Sequence, residues 1–213
     1  MYFSTKAHKF HILKSIIGNK KLNVLDVGCG NHSPSETIMN FKNIIYHGLD
    51  MEINPNYFES DKMAIKKMFI SNLDDLNLSE IENNFYDVII MCHVIEHLKF
   101  GEQAISLLNS KLKSGGFFYI ECPSQKSVNF PSVKGTLNFY DDDTHVKTYS
   151  TETIIETLNA ENNVISYGTV RSFINLILTP YKMLKSKITR GYVRGYVLWD
   201  LYGFANYVMF QKK

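Results

Sequence analysis

The chain is poor in cysteine and proline. Three cysteines, Cys29, Cys92 and Cys122, stand among 213 residues, too few for the paired framework of a disulfide scaffold. They fall at or near the ends of expected strands, where reduced, buried thiols are common. Five prolines and twelve glycines exclude a collagenous or linker-like composition. No uninterrupted apolar run reaches the roughly 20 residues of a membrane span. The opening Met1-Tyr2-Phe3-Ser4-Thr5-Lys6 lacks the apolar core of a secretory signal. A cytoplasmic location is therefore the default expectation. Internal repeats and low-complexity tracts are absent. What remains is 45% hydrophobic and 21% charged, the balance of a soluble globular protein, and the length fits one domain with a sizeable core.

Neither sign of charge dominates: 23 Lys/Arg face 21 Asp/Glu, net +2. The distribution is uneven. Residues 171–213 hold eight Lys/Arg and one acid, Asp200, while the rest of the chain holds fifteen basic and twenty acidic residues. Such asymmetry points to an anionic partner or to a solvated basic face.

One motif carries most of the functional information. Leu22-Asn23-Val24-Leu25-Asp26-Val27 runs into Gly28-Cys29-Gly30, and Asp50 follows twenty residues after Gly30. Glycines without a Cβ let the backbone turn tightly and let a ligand approach. An acid at the end of the next strand is placed to accept hydrogen bonds from ribose hydroxyls. The third glycine of the dinucleotide fingerprint is missing, because Ser33 stands in its place. That weighs against a nucleotide-dependent oxidoreductase.

Apolar spacing predicts a helix over Thr5–Ile17 and strands over Leu22–Val27, Ile44–Leu49, Met68–Ile70, Asp87–Met91 and Phe117–Cys122. Helices are expected from Ser33-Pro34, over Glu102–Leu112 ending at Gly115-Gly116, and from Ser150 to Leu158. Alternating strands and helices imply βαβ units and a parallel sheet. Residues 124–150 read mostly as loop. Two last strands are expected over Val164–Val170 and Asn206–Phe210. Between them Phe173–Trp199 is an aromatic, basic insertion, expected to be helical in part and broken at Pro180.

The motifs, in order, resemble those of class I S-adenosylmethionine-dependent methyltransferases. Val24-Leu25-Asp26-Val27-Gly28-Cys29-Gly30 resembles the first motif and Leu49-Asp50-Met51 the second. Tyr86 to Leu98 resembles the fourth-strand motif, and Leu112 to Ile120 the turn and strand after it. The resemblance covers most of residues 20–125, and small single-domain quinone and glycan methyltransferases look most similar. It implies an α/β, Rossmann-like, doubly wound fold in one domain, 1–213. The sheet would be seven-stranded and mostly parallel with an antiparallel last strand, and a partly helical insertion or lid would lie at about 171–200.

The same resemblance implies S-adenosylmethionine as cofactor, with S-adenosylhomocysteine as product. It places Asp26, Gly28, Cys29 and Gly30 along the methionine moiety, Asp50 and Met51 at the ribose, and Asn72 and Leu73 at the adenine, with Asp74 competing for the adenine amino group. Cys92 and His93 end strand four at the ligand-binding edge. His145, in Thr144-His145-Val146, and His97 are the candidates for moving the acceptor's proton, each also readable as packing. Asp141-Asp142-Asp143 reads as a solvated turn, and no metal is expected. The acceptor is expected to be a small molecule methylated on O or N, a sugar, nucleotide sugar or other metabolite, and the basic excess of residues 171–213 reads toward an anionic one such as a phosphorylated or glycan precursor. Nucleic acid is not expected. Residues 173–199 read as a lid, as a dimer surface or as a peripheral membrane contact. A non-catalytic methyltransferase-like partner remains an alternative, and the sequence leaves the oligomeric state open.

Overall fold

A computed structural model describes residues 7–213. The first residues of the expected N-terminal helix, Thr5 and Lys6, lie outside that range. From there the helix runs His8–Ile17 (α1), burying Phe10, Leu13 and Ile17 on one face. Strands β1 (Asn23–Val27), β2 (Ile45–Asp50), β3 (Lys67–Ile70), β4 (Tyr86–Cys92), β5 (Leu112–Pro123), β6 (Asn162–Thr169) and β7 (Ala205–Lys212) form one sheet. Its order is β3-β2-β1-β4-β5-β7-β6. The first five strands pair in parallel, and β7 runs antiparallel to both β5 and β6.

Helices cover both faces, so the central strands read as continuous apolar runs. Val88, Ile89, Ile90 and Met91 on β4 are all inaccessible to solvent. One face packs on α1 and on α2 (Ser33–Asn40) through Phe10, Leu13, Val24, Phe41, Val88 and Tyr119. The other packs on α4 (Gly101–Lys111) and α5 (Thr151–Leu158) through Ala104, Leu108, Ile154, Ile89 and Phe118. Ser150 caps α5 by accepting from the Thr153 N–H at 3.0 Å. A short helix α3 (Glu59–Ala64), invisible in the apolar spacing, lies against α2. Asp61 holds the pair together by accepting from the Ser35 hydroxyl and from the main-chain N–H groups of His32 and Ser35.

Two expectations are corrected. Gly115-Gly116 does not separate helix from strand. α4 ends at Lys111, and the glycines form an irregularity inside β5, between the pairs Tyr86–Leu112 and Val88–Phe117. Nor does Pro180 break the insertion. α6 runs unbroken over Phe173–Arg190, with Pro180 on its exposed face, where water can replace a lost main-chain hydrogen bond and a proline is tolerated best. After α6 the chain forms a short helix α7 (Trp199–Tyr202) and enters β7. Trp199, Phe204 and Leu198 join Leu137 in a third apolar cluster. The Trp199 indole N–H donates to the Thr136 carbonyl at 2.6 Å, tying this segment to the long loop after β5. No helix among the described residues is long and apolar enough to cross a membrane.

Candidate active site

β1 and β4 are neighbours from which the chain departs in opposite directions, so a crevice opens above their carboxyl ends. Beyond β1 the chain turns through Gly28 (φ 65°) and Gly30 (φ 48°), conformations that penalise any Cβ. A Cβ at Gly28 would meet Val94 Cγ2 at 2.2 Å; one at Gly30 would point into open space. The Gly28 N–H donates to the Leu49 carbonyl at 2.7 Å, and the Gly30 N–H to Asp50 Oδ2 at 3.0 Å. Asp50 Oδ1 accepts from the Met51 N–H at 2.8 Å. Its carboxylate is fixed and half-buried at the rim, with lone pairs left for a diol.

The crevice is a cleft of about 350 Å³. Gly28, Asp50, Met51, Asn72, Leu73 and His93 all line it, and so do Asp74 and His97. Leu49, Val94 and Leu98 give it apolar walls. Asn72 Oδ1 accepts from the Asp74 N–H, capping a short turn, and Asp74 Oδ1 accepts from the N–H groups of Lys99 and Phe100. These residues fit a nucleoside: a carboxylate for ribose hydroxyls, apolar walls for a base, and room beside Gly30.

Four other expected cofactor residues, Asp26, Cys29, Gly30 and Cys92, are not among those lining this cleft; Gly30 stands just beyond it, with its N–H turned to Asp50. Asp26 is buried beneath the glycine turn, where Oδ2 accepts from the Ser33 hydroxyl at 2.6 Å and the Tyr46 hydroxyl at 2.7 Å. The Lys9 ammonium lies 3.7 Å from it and donates to Ser33. Burial works against the Lys9 charge, but Asp26 together with Cys92, Glu121 and Glu36 outweighs it and raises the Lys9 pKa. Asp26 thus braces the turn from below. Cys29 is buried against the Tyr57 hydroxyl at 3.3 Å, and burial pushes its thiol up to about 12. Burial raises the Cys92 thiol as well, and the side chain packs against the α1 side of the sheet. None of the three cysteines is disulfide-bonded.

His93 follows β4 with φ 54°. Nδ1 lies 3.2 Å from Glu96 Oε1, and Nε2 lies 3.4 Å from Glu121 Oε1. Burial opposes its charge, yet the two carboxylates win and raise its pKa to about 10. Glu121, held low by the same pair despite its own burial, accepts from the Tyr119 hydroxyl. Trp199 and Phe204, stacked on each other, pack beside the imidazole at centroid distances of 5.3 and 6.2 Å. Glu121, Tyr119 and Trp199 were missed in the sequence; the available signal was a carboxylate inside the apolar run of β5.

The two candidate proton carriers, from segments 48 residues apart, meet at the cleft's edge. The His97 and His145 rings have centroids 4.8 Å apart. His97 Nδ1 faces the Thr144 carbonyl at 3.2 Å, and His145 Nδ1 the Phe139 carbonyl at 2.6 Å. The loop is fastened by the N–H groups of Val146 and Lys147, which donate to the Glu96 carbonyl. Asp141 and Asp142 are absorbed in it. Asp141 accepts from Ser132, Val133, Leu137 and Asn138, and Asp142 from Thr144.

A family model described as a methyltransferase domain matches residues 6–165. The ubiquinone biosynthesis O-methyltransferase of Shewanella sp. (strain ANA-3) is 27% identical over 118 residues, 54% of this chain and 48% of that protein, so the match spans about half the relative's length. Two solved structures share the fold. A SAM-dependent methyltransferase from Archaeoglobus fulgidus superposes with a TM-score of 0.61 at 18% identity, over 96% of this chain and 93% of that one. The Burkholderia thailandensis 1,6-didemethyltoxoflavin-N1-methyltransferase, with bound 1,6-didemethyltoxoflavin and S-adenosylhomocysteine, gives 0.60 at 11% identity, over 96% and 76%. With the family model covering most of the chain, and with the sheet order and glycine turn shared with solved methyltransferase folds, the chain belongs to the methyltransferase-domain family.

Proposed function

We propose that the chain methylates an oxygen or nitrogen of a small acceptor seated at the mouth of the cleft, beside His97 and His145. The carrying observation is the cleft itself, with Asp50 and His97 both in its lining and His145 against His97. S-adenosylmethionine, when bound, supplies an electrophilic methyl on a cationic sulfur. Asp50 holds the ribose hydroxyls, and Asn72 or Asp74 takes the adenine amino group. The turn at Gly28 and Gly30 leaves room for the rest. Catalysis then rests on alignment, which in well-held systems supplies up to roughly 7–11 kcal/mol. The acceptor's proton departs toward the histidine pair, and the sulfur keeps the electron pair of the broken bond. The relative from Shewanella, named for O-methylation, supports oxygen over nitrogen.

The segment 171–200 is read as a lid over the acceptor. Support comes from Trp199, which stands against His93 and is tied to the loop after β5. An anionic acceptor is supported by the basic excess of residues 171–213. Calorimetric titration with S-adenosylmethionine and with S-adenosylhomocysteine tests the core of the proposal: micromolar binding of either supports it, and binding of neither overturns it.

A further inference from the structure

We propose that Glu96, His97 and His145 form a site for a zinc-class divalent cation at the acceptor end of the cleft. A carboxylate oxygen of Glu96 and one ring nitrogen from each histidine lie within 4.8 Å of one another. Two imidazoles and a carboxylate are the donor set of many catalytic zinc centres, which leave a further position open. The proposal rests on the methyltransferase reading only for what that open position does.

Three independent features prepare the donors. First, each histidine turns Nδ1 to a main-chain carbonyl, Thr144 for His97 and Phe139 for His145. That contact places the ring proton on Nδ1 of the neutral imidazole and presents the Nε2 lone pair. Outer-sphere orientation of this kind is usual for metal-bound histidine. Second, Glu96 is wholly buried, and its Oε2 has no hydrogen-bond partner. A buried carboxylate oxygen with no partner is costly, and a cation would remove that cost. Its other oxygen is fixed by His93 at 3.2 Å, so the carboxylate is already oriented. Third, the loop bearing His145 is bolted to the turn bearing Glu96 by the two main-chain hydrogen bonds from Val146 and Lys147.

The three donor atoms are spaced more widely than around a bound zinc ion, where ligand atoms sit about 2.0–2.2 Å from the metal. Closing the gap needs side-chain rotation at His97, which is only partly buried and so is free to turn. The Asp142 carboxylate lies 3.9 Å from His145 Nε2 and adds negative charge beside the site. His97 also lines the cleft, so the open position faces the acceptor. A hydroxyl oxygen bound there would lose its proton more readily, as metal-bound water does; with the cation in place the two histidines are its ligands, and that proton leaves to solvent at the open cleft in place of the imidazoles.

The test is binding of the metal alone, so it does not depend on methyl transfer. The full chain, stripped with chelator, is titrated with Zn2+ by calorimetry and with Co2+ followed by visible absorption. One equivalent is expected, with a cobalt spectrum of nitrogen and oxygen ligands. His145→Ala and Glu96→Gln should each weaken binding at least 100-fold. Thermal melting of the wild-type chain should rise by several degrees with excess Zn2+, a readout that survives if a variant fails to fold. Stoichiometry well below one, or undiminished binding in both variants, overturns the site. A cobalt spectrum with intense sulfur charge-transfer bands also overturns it, since it would place the ion on the cysteines. Retained cation binding without S-adenosylhomocysteine binding would instead sink the methyltransfer reading and leave the cation site standing.

Discussion

The main-chain N–H of Gly30 donates to Asp50 Oδ2 at 3.0 Å. This bond links the turn after the first strand to the acid after the second, and so fixes a carboxylate before any ligand arrives. An acid already held by the backbone loses little side-chain freedom when it takes up a diol.

Asp50→Asn keeps the size and removes the charge. Charge-assisted hydrogen bonds contribute about 1.5–3 kcal/mol, so S-adenosylhomocysteine should bind roughly 10- to 150-fold more weakly in calorimetry. Unchanged affinity would remove Asp50 from the ribose site.

Asp26 should behave differently. Asp26→Ala leaves the buried Lys9 ammonium without its acid. Breaking a buried pair from one side costs about 3–5 kcal/mol, so the urea midpoint should fall sharply. If stability holds and only cofactor affinity drops, Asp26 is a ligand and not a brace.

Gly28→Ala combines a clash with Val94 and a positive φ. A loss of about 2 kcal/mol is expected, lowering the melting temperature by roughly 4–8 °C for a chain of this size. Adding Val94→Ala should recover the part due to the clash and leave the part due to φ. An additive double variant would show that contact with Val94 is not the cause.

His8 gives a pH signature. Its Nδ1 lies 2.8 Å from the Tyr119 hydroxyl, and burial, only partly offset by Glu121, lowers its pKa from 6.5 to about 4. The unfolded chain therefore binds a proton between pH 6.5 and 4 that the folded chain refuses. Stability should fall as pH drops through that window, by up to about 3 kcal/mol, and be free of this penalty above it. His8→Asn should flatten that part of the profile measured by urea unfolding; an unchanged slope would refute the assignment.

The sheet was legible because its strands are apolar runs ended by glycine or a polar residue. β1, β2 and β4 lie within one or two residues of the expected bounds. Asp50 was legible for the same reason: a strand end fixes where the next side chain points. The histidine pair was visible only as two separate candidates, because 48 residues lie between them and no local pattern records that the loop folds back. α3 escaped because its partner contacts come from the polar Asp61. Pro180 misled because the cost of proline depends on which face of the helix it occupies, a fact written in the tertiary structure.

The sequence holds a single tryptophan, Trp199, and it packs against both Phe204 and the His93 imidazole. Its fluorescence therefore comes from one place and is exposed to quenching by the imidazolium beside it. Ligand entry or a change in the charge network around His93 would each alter that emission, so the protein carries its own optical reporter of site occupancy.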